Sequence, residues 1–203
     1  MRSNNKRKGT GRTTYAILVD GETEKWYLEK LRQYENPAGI TIKPDLPDKT
    51  KLADQFRSVK KNAEIYDVSV WIIDLDVVLR EENIDELGKY IEEAAENKRI
   101  RILINTPCLE FWFLQHVQDT GRYFPDGVAV TNELKKCEPL KQYEKSKRYF
   151  VSGTPDIYNR LRPHLNVAIQ NAGRRGHFDI QNPQTAKAEI YKLFSILGIE
   201  IKD

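Results

Sequence analysis

Cysteine is almost missing from this 203-residue chain: Cys108 and Cys137 are the only two, too few for a disulfide framework or a four-cysteine zinc site. Long apolar runs are missing as well. None approaches the roughly 18–20 residues that a helical membrane span requires, so no membrane association is expected. The opening segment, MRSNNKRKGTGR, is basic with no apolar stretch behind it, which does not fit a secretory signal. A reducing, cytoplasmic setting is the expectation. Internal repeats, low-complexity tracts and linker-like stretches are lacking too. What is present is a globular composition, 39% hydrophobic and 10% aromatic, too rich in Trp, Tyr and Phe for disorder.

A strong net charge is also lacking. Lys and Arg total 33 against 30 acids, a balance of +3. Arg2, Lys6, Arg7, Lys8 and Arg12 place five cations and no acid in residues 1–12. From residue 13 onward 28 cations therefore face 30 acids, a balance of −2. The expected organisation is a flexible basic arm, residues 1–12, attached to a single α/β domain over residues 13–203. Such an arm fits contact with phosphates, and equally a frayed, solvated terminus.

Tyr15–Val19 is a short apolar run closed by Asp20-Gly21, and it is expected to be a buried strand. Trp26, Tyr27, Leu28 and Leu31 recur at helical spacing from Thr23 to about Tyr34. Ile40–Ile42 is an expected second strand, followed by a loop from Pro44 to Thr50 and a helix from Leu52 to Ala63. Val68–Ile73 and Ile100–Ile104 are further strands, with a helix from Ile84 to about Glu96 between them. Continuous apolar strands separated by helices predict a parallel sheet of about four strands with helices on both faces. Helices are expected over Cys108–Val117, with Pro107 early in the first turn, over Ile157–Asn171 and over Ala186–Leu197.

In an open parallel sheet, ligands bind beyond the carboxyl ends of the strands, where strand order reverses. Asp20 stands at the end of the first strand, with Glu22 and Glu24 beyond it. Asp74 and Asp76 end the third, and period-two alternation points both the same way if strand geometry persists. Carboxylates gathered at one edge repel unless a cation sits among them. Mg²⁺ or Mn²⁺, which prefer oxygen ligands, answer that need. Acids after strands also serve as helix caps, and Glu22 reads as a solvated turn residue. Glu110 lies early in the strongly apolar helix after the fourth strand, either capping it or facing the same edge. Cys108 beside it reads as a buried small residue.

Several blocks together resemble the RloB-like family: Asp20-Gly-Glu-Thr-Glu24 with Trp26-Tyr27; Trp71-Ile-Ile-Asp-Leu-Asp76; Asn105-Thr-Pro-Cys-Leu-Glu-Phe-Trp112 with His116; Tyr143-Glu-Lys145; and Asn182-Pro-Gln-Thr185. These are bacterial proteins, often linked to abortive infection and phage defence and built around a Toprim-like domain. The resemblance implies a Toprim/Rossmann-like α/β sheet with helical additions toward the C-terminus. It also implies a Mg²⁺ (or Mn²⁺) site, with Asp20 in the place of the family's Glu, Glu24 as the neighbouring acid, and Asp74 and Asp76 as ligands. Asp20, Asp74, Asp76 and Glu110 are then the candidate catalytic residues of a metal-dependent nuclease of DNA or RNA, accompanied by a partner ATPase. The chain departs from the pattern at Asp20, around Asp74-Leu-Asp-Val77, and at Asn105-Thr106. Those departures keep a second reading open, an inactive Toprim-like module that binds nucleic acid or the ATPase.

Phosphodiester chemistry also needs donors for the non-bridging oxygens. Lys141, Lys145, Lys147 and Arg148 interleave with Tyr143 and Tyr149, which suits backbone contact and base stacking. Arg174-Arg175 before Gly176-His177 is a second candidate. Lys145, Lys147, Arg174 and Arg175 are the expected substrate-binding residues, and a solvated surface is the alternative for both stretches. Of the histidines, only His177 is a candidate catalyst; His116 and His164 read as core or surface residues.

Overall fold

The apolar runs form strands whose side chains alternate between two cores. In the computed structural model, residues 13–36, 41–45 (backbone only) and 51–201 are described, so the basic arm expected over residues 1–12 lies outside the described residues. Strands β1 (Thr14–Leu18), β2 (Thr41–Asp45), β3 (Val68–Asp74) and β4 (Ile100–Thr106) are parallel, in the order β2-β1-β3-β4. Tyr15, Ile17, Val70, Ile72 and Leu103 face one core, and Leu18, Trp71, Ile73, Ile100 and Ile104 face the other. With both faces covered, most central positions are apolar and the period of two is hidden in the sequence.

Helix α1 (Glu22–Glu35) packs Tyr27, Leu28 and Leu31 on the first face. Helix α2 (Leu52–Ile65) covers the second face with Leu52, Phe56, Val59 and Ala63, beside α3 (Leu75–Arg80) and α4 (Ile84–Ala95). The chain thus leaves β1 along one face for β2, then crosses the other face to β3. Strand order reverses between β1 and β3, which is where a crevice opens at the carboxyl ends.

Helix α5 (Leu109–Gln115) is buried on all sides, as its five large apolar side chains require, and it carries Glu110 and Gln115 into the interior with it. It is tied to α1 by the Trp112 indole N–H, which donates to the Tyr27 hydroxyl at 2.9 Å. Helices α6 (Gly127–Leu134), α7 (Ile157–Leu161), α8 (Leu165–Arg174) and α9 (Lys192–Ile196) complete the fold.

Four boundaries differ from expectation, each for a physical reason. The second strand, with Ile40 outside the described residues, extends through Pro44 to Asp45; among the described residues β2 pairs with β1 alone, and an edge strand tolerates a residue without an N–H. Residues 46–50 of the expected loop lie outside the described residues. The helix expected over 157–171 is divided by a 3₁₀ turn, Arg162–His164, because Pro163 cannot donate to the helical ladder. Pro107 precedes α5 instead of starting it, and its peptide bond to Thr106 is cis.

The fourth difference is at the C-terminal side, where Lys187–Ala188 forms a short strand, β5, before a 3₁₀ turn and α9. It pairs antiparallel with Asn105 and Thr106, adding a fifth strand to the sheet. A buried carboxylate holds it there. Glu189 accepts the Ile104 and Phe178 backbone N–H groups, each at 3.0 Å, and pairs with Lys192. Glu189→Ala orphans two amides and a cation, and it is expected to cost about 3 kcal/mol. Urea unfolding checks this; a loss under about 0.5 kcal/mol, the range of ordinary surface changes, contradicts it.

Candidate metal centre

The crevice between β1 and β3 collects acids from four places in the chain. Asp20 follows β1, and its Oδ2 accepts the Asp74 backbone N–H at 3.4 Å, joining the two strand ends. Glu24 lies in the first turn of α1, its Oε2 accepting from the Thr23 hydroxyl at 3.0 Å. A Cβ on Gly21 would displace the Glu24 carboxylate, so glycine here lets that carboxylate keep its place in the site. Asp74 ends β3 and accepts the Leu109 N–H at 3.1 Å at the start of α5, with Asn105 Nδ2 at 3.4 Å.

Glu110, fully buried in α5, accepts from the Tyr143 hydroxyl at 2.6 Å and from Lys145 Nζ at 2.8 Å, both through Oε1. Its Oε2 has no partner. Ligand atoms of Asp20, Glu24 and Asp74 lie within 4.8 Å of one another, as do those of Asp74, Cys108 and Glu110. Asp74 belongs to both groups and is the centre of the constellation.

Burial makes the acids reluctant to ionise, and they make each other more so. Asp20 is pushed up to about 6, chiefly by burial with Asp76 adding to it, against the opposing Asp74 amide. Glu24 rises to about 8 through burial and the charges of Asp20 and Glu110. Asp74 is raised well above the carboxylate range by burial, Glu24, Asp20 and Glu110. The Cys108 thiol is likewise pushed well up, by burial and the facing Glu110 and Asp74, so it stays protonated. Burial works against the Lys145 charge, yet Glu110 outweighs it and holds the ammonium protonated. A single Lys among several buried carboxylates leaves a site short of positive charge.

Asp76 takes a different position from the one period-two alternation implied. The strand ends at Asp74 and Asp76 enters the first turn of α3, so strand geometry does not persist. Its Oδ2 accepts the Gly127 N–H at 3.2 Å, at the start of α6, and it lies outside both close groups. Tyr143, expected to stack on bases, is buried with its hydroxyl on Glu110, and Tyr149 packs edge-on against it. Lys145 reaches the site; Lys147 is exposed where the π-helical turn Arg148–Ser152 begins, and Lys141 pairs with Glu138.

Arg174 and Arg175 are engaged with Asp119 instead. His177 is exposed beside Lys192, and Glu22 is exposed as expected, though it begins helix α1 instead of lying in the turn. His116 is buried, and burial drives its protonated form down to about 3, so it is a neutral core residue.

A family model described as RloB-like protein matches residues 15–197. The chain belongs to the RloB-like family. No curated protein and no solved structure matches it. In this RloB-like chain, four of the five sequence blocks that carry the resemblance contribute residues to the site; Asn182–Thr185 does not. Asn105 bridges Asp74 and the Ile190 amide, Cys108 and Glu110 flank the helix start that Asp74 caps, and Tyr143 and Lys145 both clasp Glu110. Tyr143 and Gly127 are the contributors that residue type and spacing did not reveal as partners of acids. Among the described residues, no helix of the RloB-like chain is long and apolar enough to cross a membrane.

Proposed function

We propose that this RloB-like protein is a Toprim-type nuclease that uses Mg²⁺ or Mn²⁺ to hydrolyse phosphodiester bonds in DNA or RNA. The observation that carries the reading is Glu110 Oε2, a buried carboxylate oxygen without a partner beside Asp74. An orphaned buried acceptor costs free energy in the metal-free protein, and a cation removes that cost. The donor set fits a hard divalent ion, since carboxylate oxygens dominate it and the one thiol is held protonated.

Asp20, Glu24, Asp74 and Glu110 would hold the ion, with Asp76 at the outer edge of the group. When bound, such an ion activates a water nucleophile and stabilises charge at phosphorus. The protein's own residues prepare the place. The Asp74 amide and the Thr23 hydroxyl orient Asp20 and Glu24. Tyr143 and Lys145 both donate to Glu110 Oε1 and so leave Oε2 free for a ligand. Lys145, its ammonium half-exposed, is also placed to meet a phosphate oxygen.

The shorter Asp20, the feature that favoured an inactive module, still brings a carboxylate oxygen within the 4.8 Å group. Family membership supports the wider setting we propose, a cytoplasmic role in abortive infection and phage defence with a partner ATPase. Cleavage of labelled single- and double-stranded DNA and RNA, with Mg²⁺, Mn²⁺ or chelator, tests the activity. Glu110→Gln keeps an acceptor for Tyr143 while removing the charge, and we expect it to reduce metal-dependent cleavage by roughly 10²-fold or more. Cleavage unaffected by chelator, or equal in the variant, contradicts the reading. No cleavage of any substrate points to the inactive module.

A further inference from the structure

Beside the acids lies a second feature, a cleft of about 1010 Å³ between α3 and the loop and helix around α6. Asp76 and Lys145, the cation paired with Glu110, line it, so it borders the acids; Asp20 and Asp74 line a smaller hollow of about 300 Å³ that shares Arg80 with it. Arg80 at the end of α3 and Lys135 at the end of α6 also line it, together with the half-buried Tyr123. Both Arg80 and Lys135 are exposed, and neither has a salt bridge among the described residues. Other exposed cations among the described residues also lack a salt bridge; what sets Arg80 and Lys135 apart is that they share one cleft with Lys145. Asp76, which feels the Arg80 charge, and Asp126 are the acids of the lining, against the three cations Arg80, Lys135 and Lys145, which leaves the trough with an excess of positive charge to offer an anion.

We infer that this cleft is the substrate channel and that it takes a single-stranded stretch of nucleic acid, with Arg80 and Lys135 on successive phosphates and the Tyr123 ring against a base. The inference rests on the nuclease reading for what happens at the acids, and stands independently of it for binding. Small-molecule sites are enclosed and mainly apolar with a few convergent polar groups. Here the cations come from the ends of two different helices and from the Lys145 segment, spread along an open trough, which suits a polymer backbone. A duplex needs a broad basic face for its convex backbone, and residues 13–203 carry a balance of −2. A single strand bends into a trough and offers its base faces to an aromatic ring.

The test is fluorescence anisotropy with labelled twelve-nucleotide dT and rU oligomers and a blunt duplex of the same length, in chelator so that nothing is cut. Arg80→Glu/Lys135→Glu is expected to weaken single-strand binding by at least about tenfold and to flatten the logarithmic salt slope by about 1.5. Tyr123→Ala is expected to weaken it by about tenfold without changing that slope. Lys61→Glu/Lys98→Glu, the same charge change at the end of α2 and in the turn before β4, is expected to leave binding within about twofold, as remote screened charges should.

Equal affinity for the cleft variant, preference for the duplex, or no binding by the parent protein each overturns the channel. Oligomer binding that depends on Arg80 and Lys135 but leads to no cleavage in Mg²⁺ or Mn²⁺ sinks the nuclease reading and keeps the channel. Metal-dependent cleavage undiminished in Arg80→Glu/Lys135→Glu sinks the channel and keeps the nuclease.

Discussion

Asp74→Asn is expected to lower metal-dependent cleavage by at least about 10³-fold while making the metal-free protein more stable, not less. Both effects have one origin. Asp74 is the carboxylate common to the two close groups, buried at 8% exposure and facing Asp20, Glu24 and Glu110. Neutralising it takes away the carboxylate shared by both groups and, in the same step, relieves like-charge repulsion. Asparagine still accepts the Leu109 N–H through its carbonyl oxygen, and the contact it forfeits with Asn105 is a long one of 3.4 Å.

The gain should be about 1–2 kcal/mol near pH 8, where the neighbouring acids are most ionised. Thermal melts with and without Mg²⁺ measure it. The parent should be stabilised by metal, by about 2.7 kcal/mol at a hundredfold excess over Kd, and the variant hardly at all. A variant that melts lower than the parent and still responds to Mg²⁺ contradicts this account.

The second large effect is a stability profile with an unusual slope. Asp20 sits at about 6 and Glu24 at about 8, both raised chiefly by burial, against unfolded values near 4. A raised acid pKa means the folded chain binds more protons than the unfolded one between those limits. This contribution to stability is complete below the unfolded pKa and is lost as pH climbs through the folded one. The metal-free protein should therefore lose several kcal/mol, up to about 7–8, from these two groups between about pH 4 and pH 8.

Mg²⁺ favours the ionised carboxylates and should restore most of that loss, so its stabilising effect grows with pH. Urea unfolding at pH 5.5 and 8.5, with Mg²⁺ and with chelator, gives the four numbers needed. Equal stability at both pH values in chelator, or a metal effect that shrinks with rising pH, contradicts it.

Much of this was readable before any coordinates. Tyr15–Val19, Val68–Ile73 and Ile100–Ile104 announce themselves as strands because they are short apolar runs bounded by turn residues and helices. Asp20 and Asp74 were placed together by the rule that parallel sheets carry sites at the reversal of strand order. Glu110 stood out as a lone acid in an apolar helix. What stayed hidden depended on partners distant in the chain. Tyr143 lies among lysines and reads as surface, yet its hydroxyl is set on a carboxylate 33 residues away. Arg174 and Arg175 look free until Asp119 is seen to pair with them. The orientation of Asp76 turned on one fact, that the strand gives way to helix at Leu75. Lys187–Ala188 has no strand pattern of its own and is held by the amides that Glu189 captures.

The central claim is that one divalent ion site lies where β1, α1, β3 and α5 meet. Anomalous scattering from crystals soaked in Mn²⁺ tests it most directly. The account predicts a manganese peak within coordination distance of Asp74 and Glu110 Oε2, with Asp20 or Glu24 completing the protein ligands. A well-ordered site with no peak there, or a peak held by other side chains, would contradict it.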